Sequence, residues 1–132
     1  MAIITEYGRL WPRKIFDCLE SDGGLLIKDV ESLKEHGVYI LYRDDLPYYI
    51  GKAKDLPLFK RLHSHSNESN DTYFNFWNFF SFFVVPDIND IDEIESILIA
   101  SMFTSNKANH KIARVKIPRN ILHRMRKDRR NE

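Results

Sequence analysis

The stretch HGVYILYRDDLPYYIGKAKD, residues 36–55, leaves this chain few ways to fold. Two runs rich in β-branched and aromatic residues, GVYILYR and YYIGKA, flank the turn-forming DDLP, a pattern that predicts a β-hairpin. Tyr39 and Tyr49 fall one on each arm. Residues that pair across a hairpin share a face, so these tyrosines point the same way only if paired positions sum to an even number. A plain four-residue loop at 44–47 would pair Arg43 with Tyr48, an odd sum, and send the tyrosines to opposite faces. A site that uses both therefore needs a three- or five-residue loop, or a bulge near Gly51. Gly51 itself, ending a strand beside KAKD, points to such a bulge or to a close backbone approach.

The rest of the chain reads as one domain built around that hairpin. Its 132 residues are 43% hydrophobic and 13% aromatic, enough apolar side chain for a folded core. No apolar run is long enough to span a membrane, and MAIITEYGRLWPRK has no signal-peptide pattern. Cys18 stands alone, which excludes a disulfide or a cysteine-based zinc site within one chain. These features predict a soluble, cytoplasmic protein. IFDCLESDGG ends a short helix at Gly23 and Gly24, and LLIKDVESLKE places Leu26, Val30 and Leu33 at helical spacing, so residues 1–35 are expected to form a helical cover. A helix begins at Pro57 and runs through PLFKRLHSH. FWNFFSFFVVP is an aromatic strand closed by Pro86, its rings assigned to the core ahead of any base-stacking surface. NDIDEIESILIASMFTS is a helix over 90–103, capped by Asn89 or Asp90. The expected fold is α+β, a small three-stranded, mainly antiparallel sheet flanked by helices, with one domain over 1–132 and a motif core at about 36–110.

Glu95 carries the most chemical information. Ile91, Leu98 and Met102 share its helix face, so a carboxylate stands inside an apolar stripe. A buried carboxylate needs a cationic partner, either a hard divalent metal or an Arg; at the stripe's edge it would reach water instead. Arg61 and His65 are one helical turn apart, an arrangement suited to gripping a phosphate and equally compatible with two ordinary surface residues. His63 lies at another angle and is expected to be exposed. Charge is unevenly spread. Residues 111–132 hold nine Lys or Arg against two Asp or Glu, whereas residues 1–110 hold eleven against seventeen. A basic end of this kind contacts a polyanion, or forms a solvated helix docked through Ile121, Leu122 and Met125.

Gly37-Val38-Tyr39, Tyr49-Ile50-Gly51, the KAKD after it, Arg61 with His65, then Glu95 and a late Asn together resemble the GIY-YIG nuclease family, from about His36 to Asn109. Val38 stands where the family has Ile. Arg61 follows Gly51 by ten residues, about two more than usual, with Pro57 in the extra length, and SNKANHK lacks the Pro that commonly precedes the late Asn. The resemblance implies a metal-dependent endonuclease that hydrolyses DNA phosphodiesters to 5′-phosphate and 3′-hydroxyl ends. Tyr39 would stand near the attacking water, directly or through its hydroxyl's hydrogen bonds. Tyr49 would orient the reacting phosphate, Arg61 stabilise the transition state, and His65 assist proton transfer or contact the phosphate. Glu95 would hold a single Mg²⁺ or Mn²⁺, and Asn109, or else Asn106, would brace the site. A free tyrosine has a pKa of about 10, so Tyr39 acts as a base only if Lys52 or another cation depresses it; otherwise it relays a proton to a bound hydroxide. Lys52, Lys54, Arg61, Arg124, Arg126 and Lys127 are the expected nucleic-acid contacts. RNA remains open as a substrate, and specificity would come from a homodimer, a partner protein or the ends outside the motif. The competing reading is a non-catalytic nucleic-acid- or partner-binding module on the same fold.

Overall fold

In the computed structural model, which describes residues 2–67, 76–102, 104 and 112–130, the hairpin forms half of a four-stranded antiparallel sheet. Its strands are β1 (Glu6–Pro12), β2 (Gly37–Arg43), β3 (Leu46–Ala53) and β4 (Phe79–Val84), in the spatial order β1-β4-β2-β3. Three α-helices follow the chain as α1 (Leu58–Asn67), α2 (Ile91–Ser101) and α3 (Arg119–Arg130). The α+β fold is as expected, with one strand more.

The extra strand corrects the expectation of a helical cover over 1–35. Residues 6–12 pair with β4 as an edge strand. Short 3-10 turns at Arg13–Asp17, Leu26–Asp29 and Glu31–Lys34 replace the two predicted helices. Leu26, Val30 and Leu33 have helical spacing, but Val30 is extended (φ −78, ψ 108) and breaks the run into two turns. Those turns bury Phe16, Ile27 and Leu33 against the sheet, so the segment does cover one face, with different local structure.

The hairpin resolves the parity problem with a bulge, at Tyr48 instead of near Gly51. Arg43 pairs with Leu46 across a two-residue turn, and Tyr42 with Pro47. Beyond the shift, Leu41 pairs with Tyr49, Ile40 with Ile50 and Tyr39 with Gly51. The unpaired Tyr48 turns an odd pairing sum into an even one, and Tyr39 and Tyr49 come to the same face. Asp44 takes the left-handed conformation (φ 59), which Asp tolerates better than most residues. Its amide donates to Asn78 Oδ1 at 2.6 Å, and Asn78 Nδ2 donates to Asp44 Oδ1 at 2.9 Å, which ties the turn to the start of β4.

Alternation along the strands then builds two cores. Tyr39, Leu41, Phe80 and Phe82 meet Leu58 and Leu62 of α1 on one face. Val38, Phe83 and Val85 meet Ile91, Ile94 and Leu98 of α2 on the other. Trp77, Phe80 and Phe82 are fully buried, as the assignment of the aromatic run to the core requires. Each such side chain contributes about 1.5–3 kcal/mol by leaving water. In α3, by contrast, Ile121 and Met125 remain half exposed. Of the two readings of the basic end, docking through Ile121, Leu122 and Met125 gains no support from these exposures among the described residues.

Candidate active site

Both glycines of the double tripeptide are demanded by close approach. A Cβ on Gly51 would enter the ring of Tyr39, its cross-strand partner, and a Cβ on Gly37 would run into the carbonyl oxygen of Phe83 on β4. Tyr39 can therefore lie flat over β3, fully buried. Its hydroxyl is hydrogen-bonded to Nε2 of His65 at 2.7 Å. The rings of Tyr39, Tyr49 and His65 form a triangle with centroid separations of 6.4, 5.7 and 5.6 Å. The even register brings Tyr49 to this face, and α1 supplies His65 from its last turn. His65 is buried as well.

A second, charged group gathers where β3 ends. Lys52 pairs with Val38 and so projects toward α2. There its ammonium donates to Asp92 Oδ1 at 2.8 Å and lies 3.6 Å from Glu95 Oε1. Lys54 donates to Asp92 Oδ2 at 3.1 Å. Two ammonium donors hold the Asp92 carboxyl at about 2, well below its ordinary value, with Lys52 the larger influence. The hydrogen bond to Asp92 in turn raises Lys52. Glu95 moves the other way. Its side chain is only 17% exposed, and burial pushes its carboxyl up despite the opposing pull of Lys52.

The side chain opposite Glu95 is thus Lys52 and not the Arg considered from the sequence, and at 3.6 Å it is too distant for a direct hydrogen bond. The carboxylate remains undercompensated, a donor to which a divalent cation would add the missing charge. Among the described residues no group of three or more His, Cys, Asp or Glu forms a metal cage. One carboxylate completed by waters suits Mg²⁺, which sheds water reluctantly. Glu95 fits such an ion, while Asp92 one turn earlier is already engaged by two lysines.

Arg61 and His65 diverge. His65 turns inward to Tyr39, whereas Arg61 is exposed and lines a groove of about 320 Å³ with Lys52 and Lys54. His63, expected outside, is half-buried and its ring sits 5.9 Å from that of Phe16. Lys52 and Lys54, expected on nucleic acid, are engaged by Asp92. Arg124, Arg126 and Lys127 are exposed on α3. Asn109 and Asn106 lie outside the described residues. Asp92 was not singled out from the sequence, although its place three residues before Glu95 puts both carboxylates on one side of α2.

Residues 35–111 match the family model of the GIY-YIG catalytic domain. Among solved structures, the chain is similar to the GIY-YIG N-terminal endonuclease domain of UvrC from Thermotoga maritima. Two point mutants of that domain, each bound to the catalytic divalent cation, are 26% and 27% identical to it. Each match covers 63% of this chain and 93% of the domain, with a TM-score of 0.52. The same domain with magnesium bound is 29% identical over 55% of this chain and 85% of that one, with a TM-score of 0.46. No match is found among curated protein sequences.

Proposed function

The chain belongs to the family of GIY-YIG catalytic domains, and we propose that it is a metal-dependent endonuclease hydrolysing DNA phosphodiester bonds. The observation that carries this reading is Glu95, a carboxylate sunk in an apolar helix face, pushed up by burial and only partly answered by Lys52. A divalent cation bound there, Mg²⁺ or Mn²⁺, would neutralise charge on the phosphate and on the departing 3′ oxygen.

Arg61 presents its guanidinium to the groove beside Lys52 and Lys54, where it binds the non-bridging oxygens as charge builds on them. Tyr49, grouped with Tyr39 and His65 on the sheet face that meets α1, orients the phosphate. Full burial and the bond to His65 give Tyr39 an indirect part. It fixes the imidazole ring, and His65 assists proton transfer from the attacking water or contacts the phosphate. Lys52 bridges the Asp92 and Glu95 carboxylates and tunes the field around the latter. Asn109 remains the family's expected bracing residue. Arg124, Arg126 and Lys127 add sequence-independent grip. The burial of Tyr39 also favours, to a lesser degree, a binding module without catalysis.

Incubation of supercoiled plasmid with the protein and Mg²⁺ separates the two. Nicking or linearisation is expected, lost with EDTA, and reduced at least about a hundredfold in Glu95→Gln and Arg61→Ala. A folded wild-type protein that retards DNA in a gel but leaves it intact with both Mg²⁺ and Mn²⁺ would establish the binding module instead.

A further inference from the structure

His65 sits in the last turn of α1, where a helix leaves its final carbonyls without partners of its own. Two of those carbonyls, on His65 and Ser66, are answered by side chains from elsewhere in the chain. The Trp77 indole Nε1 donates to the His65 carbonyl at 3.3 Å, and the Arg13 guanidinium donates to the Ser66 carbonyl at 2.7 Å. A second nitrogen of that guanidinium donates to the Trp77 carbonyl at 3.1 Å, and the group lies 5.0 Å from the centre of the Trp77 ring. Arg13 thus holds both the helix end and the indole that caps it. Its backbone is fixed in turn, because its amide donates to the Asn78 carbonyl at 2.8 Å.

A cation at a helix C-terminus meets the negative end of the macrodipole, and the charge strengthens the hydrogen bond it donates. Helices fray first at their ends, so this cap stiffens the very turn that carries His65. The imidazole on that turn has an exacting position. Its Nε2 is hydrogen-bonded to the Tyr39 hydroxyl at 2.7 Å, and both side chains are buried. A reacting group misplaced by about 1 Å can cost about a hundredfold in rate. Arg13 lies outside the span 35–111 that matches the family model, so this part of the brace comes from the N-terminal segment and not from the motif core.

We propose that Arg13 and Trp77 are positioning residues for His65, an external cap on α1 that keeps its imidazole on the Tyr39 hydroxyl for the reaction. This rests on the reading of His65 as part of the cleavage site. The N-terminal segment is then a piece of the active site's framework as well as a cover for the sheet.

The test compares two cap variants, Trp77→Phe, which keeps a ring but loses the indole donor, and Arg13→Gln, which loses the cation, with Ile27→Val. The last loosens the same N-terminal cover at a fully buried site and touches neither carbonyl. Long-range ¹H–¹⁵N spectra of the full chain, in EDTA and without DNA, read the ring nitrogens of His65, assigned by their loss in His65→Gln. In wild type and Ile27→Val, Nε2 is expected at one fixed, hydrogen-bonded position. In both cap variants it should move to the averaged position of an imidazole exchanging freely between tautomers. Plasmid nicking with Mg²⁺ should show kcat lowered about ten- to a hundredfold in the cap variants, with KM within about twofold of wild type, and Ile27→Val near wild type in both. Arg13→Lys, which returns a cation to the helix end, should recover part of each readout. Unmoved His65 resonances in the cap variants, an equal change in Ile27→Val, or an unchanged kcat when wild type cuts overturns the proposal. A wild type that never cuts, with His65 still displaced in the cap variants, refutes the nuclease and keeps the positioning role. One that cuts while those resonances stay in place refutes the positioning role alone.

Discussion

Gly51 faces the ring of Tyr39, and this pairing is the reason a glycine stands there. The sequence pointed to a close approach at Gly51; it could not say that the approaching group was the tyrosine twelve residues earlier, because that depends on the register set by the bulge. A methyl at this position would push the ring and pull its hydroxyl off His65. Gly51→Ala should cost about 1–3 kcal/mol in stability, read from the urea midpoint. Cleavage activity should fall further than the fraction of folded protein does. Asp92 offers a test in pH. Its carboxyl drops from an ordinary 3.8 to about 2 on folding, so the stabilisation is complete above pH 4 and disappears as pH falls through 2. Asp92→Asn should therefore be less stable than wild type at pH 7, by no more than about 1 kcal/mol at this exposure. Chemical denaturation at pH 7, 4 and 2.5 should show that gap narrowing only below pH 4. Glu95 was legible because Ile91, Leu98 and Met102, at helical spacing from it, are apolar. The partner, Lys52, was not, since nothing in a linear pattern says which strand residue faces the middle of α2.

Among the elements, the hairpin, α1, β4 and α2 could be read from apolar spacing and turn residues. β1 could not. Gly8 and the register break before Trp11, where Leu10 adopts φ 52, obscure the alternation of an edge strand. The 3-10 turns that follow borrow helical spacing without reaching helical length. Besides the β1–β4 pairing and the buried Phe16, Ile27 and Leu33, Arg13 helps hold this segment down: its two charge-assisted bonds tie it to the last turn of α1 and to the residue before Asn78. Arg13→Ala should destabilise the protein by about 2 kcal/mol, and Arg13→Lys should restore only part of it, because one ammonium cannot reproduce a fork that reaches two carbonyls and lies over an indole. Thermal unfolding followed by tryptophan fluorescence checks both, with Trp77 itself reporting on the contact.

Across the molecule, charge is divided between an acidic body and a basic C-terminal stretch, and α3 shows its apolar residues Ile121 and Met125 to solvent. Replacing Arg124, Arg126 and Lys127 with Gln should weaken DNA binding most at low salt and flatten its salt dependence by about three, leaving the metal requirement of cleavage unchanged. Nitrocellulose filter binding across a salt series measures the first, plasmid nicking the second. The four-stranded sheet confers a different kind of constraint. Because Tyr48 is the one unpaired residue that aligns both tyrosines, the hairpin's length is effectively counted in twos. Losing or gaining a single residue near its tip would carry Tyr49 and Gly51 through the sheet to the side of α2, separate them from Tyr39, and deliver Ile50 to the site in their place. Relatives of this chain should therefore vary their hairpin tips by even steps, or carry a compensating bulge wherever they do not.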